Sequence, residues 1–212
     1  RVCEANRRQL ICTSDGVLRG ALGTTEAASV LSTAGNSRAL DIRNTSIAST
    51  AGYDPMPATS TCAYRGCWRT IDINGIVTVG APSGRCVVRN TAATACSPVT
   101  RHGIPSTATG ILQIYRTNFF SVLPDGTYPD PGDDMYLVAE VTPTAAENAQ
   151  FYLDFTDLVQ DSLAGEPLYT NQSMEGALAG RDRPPLAKDV VYFNDTAFYL
   201  NTIDKHRFLL TI

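Results

Sequence analysis

After residue 35 the chain carries almost no 3.6-residue apolar period. It reads instead as short apolar and β-branched runs cut apart by Pro, Gly, Asn and Asp. The clearest is TIDINGIVTVG, residues 70–80, in which Ile71 and Ile73 alternate with polar residues, Asn74-Gly75 follows, and Ile76 to Val79 return. Asn-Gly supplies the positive φ values of a type I′ turn, so a β-hairpin is predicted here. Further strands are predicted over 85–89, 110–117, 119–123, 135–142, 150–156, 189–193, 197–200 and 207–212. Strands so separated predict a mainly β chain, an antiparallel β-sandwich or barrel-like domain.

Helix signals are confined to the beginning. Glu4 to Cys12 could form a short helical turn, and TTEAASVLSTAGN, residues 24–36, has a threonine cap, an early Glu26, and Ala27, Val30, Leu31 and Ala34 at helical spacing before Gly35. A short N-terminal helical region is therefore expected. The Pro-rich AGYDPMPATS, residues 51–60, reads as an exposed loop, and residues 163–188 read as a surface excursion rich in Gly and Pro.

Six cysteines stand as Cys3-x8-Cys12, Cys62-x4-Cys67 and Cys86-x9-Cys96. A thioredoxin-like or haem-attachment site needs C-x-x-C, which is missing, and zinc knuckles need paired short spacings or histidines, of which only His102 and His206 exist. Disulfides are the expected state, with neighbour pairing preferred among the fifteen connectivities that six cysteines allow. In that reading STCAYRGCWRT, residues 60–70, is a stapled turn around Tyr64-Arg65-Gly66, with the only tryptophan, Trp68, packed over the bridge. Disulfides persist in secreted and cell-surface settings. The composition agrees, with 18% charged residues against about 25% in typical globular domains and a polar remainder rich in Ser and Thr. Arg1 opens no signal-peptide pattern, and no apolar run is long enough to span a bilayer as a helix.

Charge is unevenly distributed. Residues 1–101 hold eleven arginines against six acids, a balance of +5, and residues 102–212 hold six cations against fifteen acids, a balance of −9. Two regions are therefore expected, a basic, cysteine-containing 1–101 and an acidic, β-rich 102–212, as subdomains or as two ends of one domain. Either the two faces are separately solvated, or the basic end of one copy meets the acidic end of the next and builds a head-to-tail polymer. Scattered Arg7, Arg8, Arg65, Arg69, Arg85 and Arg89 beside an acidic half do not form a nucleic-acid stripe.

Candidate chemistry is sparse. PDGTYPDPGDDM gathers Asp125, Asp130, Asp133 and Asp134, hard oxygen ligands of the kind calcium takes, but without the EF-hand spacing. No G-x-S-x-G elbow or phosphate loop occurs, and Glu140 with Asp154 or Asp157 is a carboxylate pairing open to any β protein. Sequons at Asn44, Asn171 and Asn194 occur at a frequency chance supplies. No catalytic residue or cofactor is assigned. The final HRFLLTI places Phe208, Leu210 and Ile212 on one face of a strand, which either docks inside its own sheet, the usual outcome, or joins copies by strand addition as in secreted fibre subunits. The expectation is a secreted structural or adhesive protein, a self-assembling subunit of a filament, pilus or surface layer that binds copies of itself or another surface protein. The alternatives are a carbohydrate- or calcium-dependent binding module using Tyr128, Tyr136 and Tyr169, and a secreted hydrolase.

Overall fold

The computed structural model describes residues 2–5, 8–13, 16–21, 31–33, 36, 38–48, 53–71, 75, 77–105, 110–171, 174, 184, 186–194 and 196–203. They are mainly β, and the strand pairings whose register they define are antiparallel. The chain divides into two compact units: Arg1–Gly35, Ile71–Thr78 and Arg183–Ile212 form one, and Asn36–Thr70 with Val79–Asp182 form the other. The division is thus interleaved rather than placed at residue 101.

In the first unit, β1 (Val2–Ala5), β2 (Arg8–Thr13), β3 (Gly16–Ala21) and β4 (Leu31–Thr33) make one antiparallel sheet in that order. This corrects the expected helical start. Glu4 to Cys12 is a tight hairpin in which Ala5 faces Arg8, and Leu31–Thr33 pairs with Leu18–Gly20. Ladder pairing there overrides a weak helical period. Residues 22–30, which hold most of the expected helix, lie outside the described residues. The hairpin β14 (Leu186–Phe193) and β15 (Thr196–Ile203) completes the unit, with β14 against β1, β2 and β3. Asn194 turns it at φ 47, in the left-handed region that Asn tolerates.

The second unit holds two sheets. In one, the twelve-residue β6 (Ser60–Ile71) is central. Along one edge it pairs with β10 (Ile111–Arg116) and β11 (Phe120–Ser121), and β12 (Tyr136–Val141) adds beyond β10. Along the other edge it takes β8 (Cys86–Asn90), and β7 (Val77–Val79), which straddles the boundary between the two units, also pairs with β6. Gly75, at φ 74, lies between the paired β6 and β7, and Gly80 N donates to Trp68 O at 2.8 Å, while Asn74 lies outside the described residues. The other sheet has β9 (Ser97–Gly103) between β5 (Ile42–Ala48) and β13 (Tyr152–Thr156).

The α-helix among the described residues, α1 (Ala145–Gln150), was not expected. Its signal is the capping box Thr144-x-x-Glu147, in which Glu147 N donates to Thr144 Oγ1 and Thr144 N donates to Glu147 Oε2.

The main core draws on both sheets. Ile42, Met56, Cys62, Tyr64, Trp68, Val88, Cys96, Leu112, Ile114 and Leu153 form one buried cluster. Ala63, Cys67, Tyr115, Met135 and Leu168 form a second. Alternation along β6 explains the split, because Cys62, Tyr64 and Trp68 point to one face while Ala63 and Cys67 point to the other. Met56, expected in an exposed loop, is fully buried, and its backbone exchanges two hydrogen bonds with Cys96.

Candidate functional site

The stretch STCAYRGCWRT is strand, and this decides the fate of its cysteines. Cys62 and Cys67 are five residues apart on extended backbone, about 17 Å at 3.4 Å per residue, and they face opposite clusters. A disulfide needs Cα atoms within about 7 Å, so the expected local staple is excluded. Cys62, Cys86 and Cys96 are free thiols, all packed in or against the main core. Burial pushes the Cys62 thiol up to about 12 and that of Cys96 to about 11, which leaves both protonated and inert at neutral pH. In the first unit the register pairs Cys3 with Leu10 and Cys12 with Val17, and the Cys3 side chain lies outside the described residues. Trp68, rather than capping a bridge, is 1% exposed in the main core.

Strand β6 presents a single backbone line to both clusters. A Cβ at Gly66 would stand 3.3 Å from Leu112 Cδ1 and 3.5 Å from His102 Nδ1, a tight fit against the core. His102 itself lies on the central β9, 2% exposed, with Nε2 2.9 Å from Thr100 Oγ1 and its ring edge-on to Phe155. Nδ1 has no partner. The tautomer that orphans no buried N–H therefore carries its proton on Nε2 and donates to Thr100. Burial holds the ring neutral, down to about 4, which outweighs the opposing pull of Asp154.

Among the described residues a dense buried polar cluster is built on Arg116, a lone cation in the apolar strand ILQIYR. Its Nη1 donates to Asp157 Oδ2 at 2.6 Å and to Val159 O at 2.8 Å, Nη2 to Asp161 Oδ1 at 2.7 Å, and Nε to Thr117 O at 3.2 Å. Its guanidinium carbon lies 3.8 Å from the centre of the Phe119 ring. Asp157, fully buried, also accepts from Tyr64 Oη at 2.7 Å and from Val159 N. Asp161 accepts from Phe119 N. Burial, with Cys62 and Asp157 nearby, raises the Tyr64 phenol well above its ordinary range. Each carboxylate here is already engaged by donors, so the cluster locks residues 157–161 onto β6 and β10. The signal for it was the charge inside an otherwise buried strand, which must be paired.

Of the four acids of the aspartate loop, Asp130 and Asp133 meet at Arg85, 2.8 and 3.9 Å from its Nη1, but the four do not gather at one point. Asp130 takes both Nη atoms of Arg85, Asp133 takes Arg65 Nη2 at 2.9 Å, and Asp125 accepts from Thr127 N and Oγ1 within its own turn. Asp134 has interactions of its own. The Arg85 contact holds the Asp130 carboxyl below its usual range, and the bonds from Thr127 do the same for Asp125. Among the described residues no three His, Cys, Asp or Glu side chains gather as a metal site. The alternative carboxylate pairs are also spoken for, since Glu140 binds Arg69 and Gln113, and Asp154 binds Arg101 bidentately. Tyr128 donates to Asn90 O, and Tyr169 packs against the second cluster.

These ion pairs revise the charge reading. Arg65, Arg69, Arg85 and Arg101 come from the basic half, and their partners Asp133, Glu140, Asp130 and Asp154 come from the acidic half. Much of the sequence polarity is therefore consumed inside the second unit. The premise for electrostatic head-to-tail docking is correspondingly weaker.

Exposed apolar surface gathers on β14–β15. The register sets Val191 opposite Phe198 and Asp189 opposite Leu200, and Phe193 shares their face. Val191, Phe193, Phe198 and Leu200 are 45%, 71%, 48% and 48% exposed, whereas Val190 and Ala187 are buried. Phe208, Leu210, Ile212 and His206 lie outside the described residues. Among those described, no helix is long and apolar enough to cross a membrane. No family model matches the chain, no curated protein is significantly similar to it, and no solved structure matches it.

Proposed function

We propose that this chain is a secreted structural or adhesive protein, a self-assembling subunit of an extracellular filament, pilus or surface layer, rather than an enzyme. The observation that carries this reading is the outward apolar face of β14–β15. Near-continuous apolar runs such as VVYF and AFYL belong to strands covered on both faces. Here Val191, Phe193, Phe198 and Leu200 stand open on one face of the hairpin while Val190 on the other is buried, the kind of patch that marks an association surface. Copies of the same chain are the partner. Phe208, Leu210 and Ile212, a few residues beyond β15 in sequence, are assigned to the same contact. Secretion is supported by the low charge and the Ser/Thr-rich composition. For the second unit the architecture favoured is a β-sandwich, supported by a core shared between its two sheets.

Because Arg65, Arg69, Arg85 and Arg101 of the basic half are paired within the second unit, assembly should be driven by apolar contact and persist at about 1 M salt, where the Debye length is near 3 Å. Light scattering and negative-stain microscopy from about 1 μM to about 1 mM bracket useful self-affinities. Assemblies at both salt levels, weakened by Phe193→Asp, are the expected result. A protein that stays monomeric across this range sinks the proposal.

A further inference from the structure

The second unit's sheet edges are not treated alike. The outer edge of β12 is covered: Gly165 N donates to Leu137 O, Leu137 N to Glu166 O and Leu168 N to Met135 O. Strand β5 is bulged between Asn44 and Ser46 and has β8 alongside it. Bulges and covering segments are the usual ways an edge is protected from pairing. Strand β13 has neither. Its register with β9 runs unbroken from Tyr152 to Thr156, and the strand contains no Pro or Lys.

The phase of the β13 ladder follows from its two ends. Ile104 N donates to Phe151 O at 2.8 Å and Asp157 N donates to Pro98 O at 2.9 Å. In an antiparallel pair the bonded residues alternate, so positions 151, 153, 155 and 157 bond to β9 while Tyr152, Asp154 and Thr156 turn their backbone groups outward. Of these, Tyr152 O accepts from Gln150 Nε2. Among the described residues nothing pairs with the outward groups of Asp154 and Thr156.

The side chains at this edge are set in place. Arg101 chelates Asp154 at 2.8 Å through both Nε and Nη2, and its guanidinium carbon lies 3.9 Å from the Tyr152 ring centre. Phe151, just before the strand, holds φ 61, a left-handed conformation unfavourable for an aromatic residue, and is 57% exposed. Leu158, just past the other end, is 44% exposed.

We infer that β13 is a self-pairing edge, joining antiparallel across a two-fold axis to β13 of a second copy of this chain. The inference rests on the self-assembly proposed above and names one of its contacts. Full overlap of the strand centres the axis on Asp154 and sets Tyr152 opposite Thr156 of the copy. It sets Phe151 of each copy opposite Asp157 of the other, so that the exposed Phe151 and Leu158 stand at both ends of the paired strands. The carboxylates meeting at the axis each carry their own Arg101, which neutralises the like charges. Such a contact is isologous. Alternated with a second contact through β14–β15, it builds an open chain of copies.

The test is sedimentation velocity on the full chain and its variants. Thr156→Pro removes an outward N–H and leaves the β9 ladder intact, Thr156→Lys blocks the edge by charge, and Phe151→Gly relieves the left-handed strain. With Phe193→Asp present to block the other face, the chain should stop at a dimer. Adding Thr156→Pro or Thr156→Lys should weaken that dimer at least about tenfold, with circular dichroism unchanged. Phe151→Gly should weaken it while leaving thermal stability equal or higher, which a merely structural role would not do. A wild-type protein that assembles, with all three edge variants assembling equally, overturns this contact and leaves the proposed function standing. A wild-type protein that never associates overturns both.

Discussion

Acid should destabilise the second unit through His102 before it reaches the carboxylates. The folded ring is held near 4 by burial and the unfolded ring returns to about 6.5, so below pH 6.5 the unfolded chain binds a proton that the folded chain refuses. The contribution is fully present above about pH 6.5 and is lost as pH falls towards about 4. Between pH 7 and pH 5 the two binding curves give a loss of about 2 kcal/mol, and the whole shift corresponds to about 3 kcal/mol. The ring is 2% exposed, so little solvent screening reduces this. Asp125, Asp130, Glu147 and Asp154, whose folded carboxyls are lowered, contribute stability that disappears mainly below about pH 4, outside the window. Trp68 is the only tryptophan and lies in the same core, so its fluorescence reports urea unfolding at pH 7, 6 and 5 directly. His102→Gln retains an amide that can reach Thr100 but cannot titrate. It should be less stable at pH 7 yet nearly flat across the window. A wild-type stability that does not change from pH 7 to 5, or an equal slope in His102→Gln, would refute the reasoning.

Arg116→Met should cost about 3–5 kcal/mol, because it leaves the fully buried Asp157 with only Tyr64 and Val159 as donors. The double change Arg116→Met with Asp157→Leu should recover part of that loss, and a single variant within about 1 kcal/mol of wild type would show that the cluster is not a lock. Alkylation followed by peptide mass analysis should find Cys62, Cys86 and Cys96 reduced, unreactive in the native protein and labelled only in denaturant. Recovery of a Cys62–Cys67 disulfide peptide would contradict the extended course of β6.

Turn chemistry and strand propensity were legible because they act over a few residues. Asn74-Gly75 announces its hairpin, and the strands at β8, β10, β12, β14 and β15 fall within the runs expected for them or extend those runs by a few residues. Strand β6 was misread because its sequence is polar for a strand buried on both faces. Thr61 Oγ1 bonds Val88 O and Arg65 bonds Ser83 O and Asp133, so those polar groups are satisfied from a distance. The N-terminal strands were misread for the opposite reason, since a weak helical period there yields to ladder partners.

The sequence by itself determined the class of this protein: local alternation and breakers leave little but antiparallel strands. Only the tertiary structure decided what the charged and sulfur-bearing residues do. Tyr64 meets Asp157 across 93 positions and Arg116 reaches it across 41. Two cysteines only five positions apart are held on opposite faces. Side-chain pairing depends on which strands lie side by side and which face is buried, and neither is a property of any short stretch of chain.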